Sequence, residues 1–308
     1  MNIRRTDKTQ TYIMNKIVKI ANNDKFKLIK KSENNYKDCV EEAAKFIRRN
    51  IKNKNLLLIC GPSSSGKTTT SHLITKHLLD NGIKSYVVSM DNFFINREET
   101  PILPDGTRDY DNVTTLNLDL FKSCVNDLLI KKQTDLPMFD FITGIRQDNA
   151  IHAEIDDNTI IIIEGIHAFN PLCISSEMKE KAVKVFVKPQ SDFVLENKEK
   201  FTREDLRFTR RSIRDFYTRG YSFSDTLKNW RNVRASEDKF IIPFKNDADF
   251  IIDTTYMYEP ILYRNELEII QEQDDEAKVL YQKLKMPKTP LTKNDISQDA
   301  LIWEFLGA

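Results

Sequence analysis

The segment Gly61-Pro62-Ser63-Ser64-Ser65-Gly66-Lys67-Thr68 brackets three serines between two glycines and follows them with a lysine and a hydroxyl residue. Glycine at both ends lets the backbone curl so that successive N–H groups converge, and a helix starting there adds partial positive charge. Such a curl suits phosphate oxygens. Lys67 would reach the β- and γ-phosphates of a nucleotide, and the Thr68 hydroxyl would hold Mg²⁺, with Ser63, Ser64, Ser65 and Thr69 completing the cradle. The bland alternative, a Ser/Gly surface turn, fits the flanks poorly. Leu56 to Cys60 is continuously apolar, as a buried parallel strand should be, and Thr69 to Leu79 places Leu73, Ile74, His77 and Leu78 on one side of a helix.

Two carboxylates stand where a phosphate site needs them. Ser85 to Met90 reads as a strand that delivers Asp91 at its C-terminal end, the edge where ligands sit in open α/β sheets. Asp91 could act as general base on an acceptor hydroxyl or contact the metal through water; the competing reading is a cap or turn residue. Thr159 to Ile163 is the most apolar strand and ends in Glu164, a residue suited to holding Mg²⁺ and its waters. His167, close behind, is assigned a structural role over a catalytic one.

Arg203, Arg207, Arg210, Arg211, Arg214 and Arg219 lie within 17 residues and end at Gly220. Guanidinium groups on one helix suit a lid, about residues 203–236, that neutralises transferring phosphates and excludes water. Pairing with Glu204, Asp205 and Asp215, or an RNA-binding face, are the alternatives.

The elements that must position these groups follow in order. Residues 1–53 form a polar extension with apolar pieces at Tyr12 to Met14 and Phe26 to Ile29 and a helix from Glu33 to Lys52. Residues 54–257 carry the strands and motifs. Within them, 95–115 is a loop with Pro101, Pro104 and Gly106, Leu116 to Lys132 is a helix, and Pro137 to Phe141 with Ala150 to Ile155 reads as an appended β-hairpin. Ala182 to Val187 and Phe250 to Asp253 supply further strands. Residues 258–308 form a helical extension around Leu262 to Gln271 and Ala277 to Leu284, whose last apolar residues are expected to pack on the core or on a neighbouring subunit.

Composition narrows the partners. Lys plus Arg number 47 and Asp plus Glu 46, a net charge of +1, so no global field attracts nucleic acid or membrane. Cys39, Cys60, Cys124 and Cys173 lack metal-ligand spacing, and no apolar run approaches a membrane span, so a cytoplasmic protein is expected. Neither Asn-Lys-x-Asp nor Asp-x-x-Gly occurs, which argues against a GTPase switch.

Taken together, Gly61 to Thr69, Met90-Asp91-Asn92-Phe93-Phe94, Pro137 to Arg146, Ile163 to Ile166 and Arg210 to Gly220 resemble the phosphoribulokinase/uridine kinase family, most closely uridine-cytidine kinases. Ile296 to Ala308 resembles the end of longer bacterial nucleoside-kinase-like proteins. The resemblance implies a P-loop kinase fold, a parallel β-sheet flanked by helices with an inserted hairpin and a helical lid. It implies ATP and Mg²⁺ as cofactors, a nucleoside 5′-hydroxyl as acceptor, and a homo-oligomer. It casts Asp91 as base, Lys67, Arg214 and Arg219 as transfer residues, Arg210 on the nucleotide, and Thr68, Asp91 and Glu164 as the Mg²⁺ set. Asp111, Phe139, Arg146 and Arg214 fall at the acceptor. Phe139 and Gly144 replace the tyrosine and histidine that face the base in uridine-cytidine kinases, and Tyr221 replaces a common arginine. The same chemistry on another nucleoside, sugar or sugar phosphate stays open, as does an ATP-binding regulatory or RNA-associated role.

Overall fold

The computed structural model describes residues 4–5, 9–51, 54–103 and 106–306; Lys52, Pro104 and Ala308 lie outside them. The chain opens with two short strands, β1 (Arg4–Arg5) and β2 (Thr11–Ile13), and two helices, α1 (Met14–Asn23) and α2 (Lys25–Asn50). The helix expected from Glu33 therefore begins earlier. Asp24 caps it by accepting the Lys27 N–H, and Leu28, Ile29 and Ser32 extend its buried stripe toward the N-terminus.

The apolar run β3 (Leu56–Cys60) is buried at every position, and α3 (Lys67–Leu79) and β4 (Ser85–Ser89) follow. A 3₁₀ turn at Met90–Phe93 follows β4, and two more, Arg97–Glu99 and Val113–Thr115, interrupt the expected loop. After α4 (Leu118–Ile130) comes the hairpin of β5 (Gln133–Asp140) and β6 (Ile145–Glu154), longer in both arms than its alternation suggests. Pro137 falls at a register shift between Leu136 and Met138, where its missing N–H costs no ladder bond. Then come β7 (Ile160–Gly165), α5 (Ser176–Glu180), β8 (Ala182–Lys188), β9 (Asp192–Val194) and β10 (Lys200–Phe201). The arginine-dense α6 (Arg203–Arg219) and its neighbour α7 (Phe223–Phe240) each start with a capping box, Thr202 with Asp205 and Ser222 with Asp225. The chain closes with β11 (Phe250–Asp253), α8 (Glu259–Ile270), α9 (Asp275–Lys283) and the single turn α10 (Trp303–Leu306).

The main sheet has the order β1-β11-β8-β3-β7-β4, with every neighbour parallel. Side chains alternate across it, so Leu57 and Ile59 of β3 enter one hydrophobic cluster and Leu56, Leu58 and Cys60 the other. The first cluster holds α1, α2, α3, α6, α8 and the final residues through Leu306; the second holds α4 and the base of the hairpin. This is the α/β architecture expected, a parallel sheet covered by helices on both faces. Register brings Cys60 beside Gly165 and Phe186, and Ser89 beside Glu164, so the segments that follow β3, β7 and β4 emerge along one edge.

Candidate active site

The turn after β3 is shaped by backbone conformation. Ser64 and Gly66 adopt left-handed φ values of 56° and 88°, which turns the chain back on itself before α3. A Cβ at Gly61 would lie 2.0 Å from the Val187 carbonyl oxygen, so glycine alone fits there. Lys67 donates from Nζ to the Pro62 carbonyl at 3.2 Å, across the mouth of the loop. The Ser64 and Ser65 hydroxyls are buried without a protein partner.

Arginines of α6 hold this loop from beneath. Arg210 donates from Nε and Nη2 to the Glu259 carboxylate at 2.8 and 2.6 Å, from Nη1 to the Ser64 carbonyl and Thr254 Oγ1 at 3.3 Å, and from Nη2 to the Thr254 carbonyl at 2.6 Å. All five of its N–H donors are thus engaged. The expectation that Arg210 contacts the nucleotide is corrected accordingly: it is fully buried with Glu259 and supports the loop instead. Arg207 likewise bonds the Ser63 carbonyl at 3.0 Å and pairs with buried Glu237.

The two carboxylates flank Lys67. Asp91 is the second residue of the 3₁₀ turn after β4, and Glu164 accepts from the Ser89 hydroxyl at 2.7 Å on the neighbouring strand. Burial first, and then the negative charge of Asp91, push Glu164 up to about 7, while Lys67 pulls it back. Oxygen donors of this kind, with Thr68 lining the same cavity as Asp91, are the type a hard divalent cation takes. His167 is fully buried, donates from Nε2 to the Asp111 carbonyl at 3.0 Å, and is pushed down to about 4, chiefly by burial. It positions the Asp111 backbone as a neutral ring.

One cavity joins the loop to the hairpin. Its walls include Ser63, Ser64, Lys67, Thr68, Asp91 and Asp111, the arginines Arg211, Arg214 and Arg219, and the aromatic rings of Phe94, Phe139, Phe141, Tyr110 and Tyr221. Phe94, Phe139 and Phe141 meet edge to face, with centroids 5.1 to 6.4 Å apart, and the Arg219 guanidinium lies 4.7 Å over Phe141. Asp215 gathers the three arginines, at 3.4, 3.5 and 3.1 Å from Arg211, Arg214 and Arg219. The carboxylate of Asp111 is buried with Oδ2 unbonded and Arg211 at 3.6 Å.

The structure thus brings together most residues singled out from sequence. Arg146 is placed apart from the cavity walls, because Asp148, two residues along the same strand face, takes its Nε at 2.7 Å and the Phe94 carbonyl takes Nη1 at 3.3 Å. Sequence reasoning missed Arg211, Phe94 and Phe141 as wall residues, although all three lie inside motifs it quoted. It also missed Glu304, whose carboxylate lines the cavity and accepts from the Thr69 N–H and hydroxyl at 3.2 and 2.7 Å. Glu304 lies inside the Ile296 to Ala308 stretch singled out by resemblance, but no periodicity there points it at the loop. No helix among the described residues is long and apolar enough to cross a membrane.

Comparison with known proteins places these features. The chain belongs to the phosphoribulokinase/uridine kinase family, whose model matches residues 56–258. It is 29% identical over 201 residues to a uridine kinase of Ureaplasma urealyticum, covering 65% of this chain and 88% of the relative. Over 195 residues it is 30% identical to a uridine kinase of Lactobacillus helveticus, covering 63% of this chain and 83% of that protein. A solved structure from Silicibacter sp. TM1040, named for a fructose transport system kinase, superposes with a TM-score of 0.51 at 17% identity, over 69% of this chain and 98% of that one. The chain is therefore a kinase of this family.

Proposed function

We propose that this kinase, with Mg²⁺, transfers the γ-phosphoryl group of ATP to the 5′-hydroxyl of a nucleoside of the uridine/cytidine type. The observation that carries the reading is the cavity whose walls bring together Lys67, Thr68, Asp91, Asp111 and three phenylalanine rings. Asp91 accepts the proton of the attacking hydroxyl. Lys67, Arg214 and Arg219 surround the transferring oxygens with positive charge, and the buried, half-unbonded Asp111 is an acceptor for ribose hydroxyls. The rings of Phe94, Phe139 and Phe141 offer a stacking surface to a base. Thr68, Asp91 and Glu164 would hold Mg²⁺ directly or through water, and the ion when bound neutralises phosphate charge. Names of the curated relatives supply the nucleoside part of the reading.

A second acceptor class is favoured by one feature. A Cβ at Gly144 would lie 2.7 Å from both Cβ and Nε of Arg97, and Arg97 is anchored to the Phe141 and Ile142 carbonyls at 2.5 and 3.3 Å. The space a base-facing side chain would use is therefore filled. A pocket without those polar partners suits another nucleoside, a sugar or a sugar phosphate.

ADP release from Mg-ATP, measured against a panel of nucleosides, sugars and sugar phosphates, tests both. Stimulation by uridine or cytidine supports the first reading and stimulation only by another compound the second. No stimulation by any compound would sink both in favour of a binding role.

A further inference from the structure

The last turn of the chain is fastened firmly to the phosphate loop. Leu301 lies so close to Gly66 that a Cβ there would come within 2.5 Å of its Cδ1, and the Leu301 N–H donates to the Tyr256 hydroxyl at 3.3 Å. Phe305 presents its ring to Arg210, 4.7 Å from the guanidinium carbon. Ala300, Leu301, Ile302, Phe305 and Leu306 are all buried. Glu304 is the acidic residue of this apolar stretch, and it faces the loop.

Its partner is specific. Glu304 Oε2 accepts from both the backbone N–H and the hydroxyl of Thr69, and the same carboxylate shares the cavity wall with Lys67, Thr68 and Asp91. Thr69 is the third residue of α3. N–H groups in a helix's first turn have no intrahelical acceptor and attract anions. In a glycine loop of this type they are the groups that serve a nucleotide's phosphates.

We propose that Glu304 is a built-in competitor for the phosphate seat. Its carboxylate holds the Thr69 N–H and hydroxyl, and a nucleotide phosphate can take them only when the side chain swings away. The turn itself stays packed. Two anions cannot share the same two donors, and their like charges at short range oppose each other in a partly buried site. Glu304 would thereby set the ATP affinity below what the loop alone provides, as any equilibrium that must first vacate a site does. A purely structural role, in which the carboxylate only complements the α3 dipole, makes the opposite forecast for nucleotide binding. The inference rests on the nucleotide part of the proposed function.

The test is calorimetric titration of Mg-ATP, ADP and adenosine into the full chain and its Glu304→Gln and Glu304→Ala variants, with thermal unfolding alongside. ATP should bind about tenfold tighter to Glu304→Ala, corresponding to a carboxylate in place roughly nine-tenths of the time. Glu304→Gln keeps the size and a hydrogen-bond acceptor but loses the charge, so it should fall between. It also carries the test if the alanine variant does not fold. Adenosine, lacking phosphate, should bind all three alike. ATP binding that is unchanged or weaker in a folded variant overturns the competitor role while leaving the kinase reading intact. Failure of ATP to bind any of the three proteins overturns the nucleotide reading and this inference with it.

Discussion

In the proposed reading, the phosphate and acceptor ends of the cavity are built by different means. At the phosphate end, Lys67, Thr68, Asp91 and Glu164 hang from strand ends or the start of α3, and buried pairs such as Arg210–Glu259 and Arg207–Glu237 clamp the loop backbone from below. At the acceptor end the walls come from 3₁₀ turns and a two-stranded hairpin, held by ring-edge contacts and by Arg97 bonded to backbone carbonyls. The hairpin tip is open, with Ile142 76% and Ile145 54% exposed. In the proposed reading, chemistry that tolerates little displacement is anchored in the core, whereas selectivity falls to an appendage that can change without disturbing it.

The sharpest way to break this contrast is Asp91→Asn. If the phosphate end holds a fixed base, turnover should fall about 10²–10⁴-fold while ATP binding is kept, as single-turnover kinetics and titration would show. Near-normal turnover would remove Asp91 from the mechanism. Arg210→Ala tests the clamp: leaving Glu259 buried without its partner should cost about 3–5 kcal/mol in urea unfolding. A loss of only a few tenths would mean the loop does not depend on it.

His167 provides a third probe, through pH. The folded protein keeps this ring neutral down to about 4, whereas an unfolded chain protonates it near 6.5. Between those values the unfolded state binds more protons, so stability is lost as pH falls through the window, by roughly 3 kcal/mol at its lower end. Urea midpoints for wild type and His167→Asn at several pH values should show a shallower decline in the variant; parallel curves would exclude His167 as the source. The mildest effect is expected at the hairpin. Phe141→Ala should raise the acceptor KM about tenfold and leave the ATP KM alone, and a matching rise in both would show that the two ends are coupled.

Legibility in the sequence follows the same division. The run Leu56–Cys60, the glycine loop and Glu164 are local patterns with a direct physical meaning, and the structure sets them side by side through strand register. Arg210 could not be separated from Arg214 by type or spacing. Which guanidinium turns beneath the loop is decided by Glu259, 49 residues away in sequence. The start of α2 was obscured because Lys and Asn residues dilute its stripe, although Leu28 and Ile29 continue it. Glu304 reaches the site through tertiary packing, so the resemblance of Ile296 to Ala308 marks its segment but not its contact with Thr69.

That last contact also bears on how the protein acquires its active form. Thr69 and Glu304 are 235 residues apart, and Leu301 must seat against Gly66 over a comparable span. Contacts across so long a stretch carry a large loop-closure entropy and form after local structure has gathered. A refolding chain should therefore regain its helical signal before the phosphate loop gains its final neighbour.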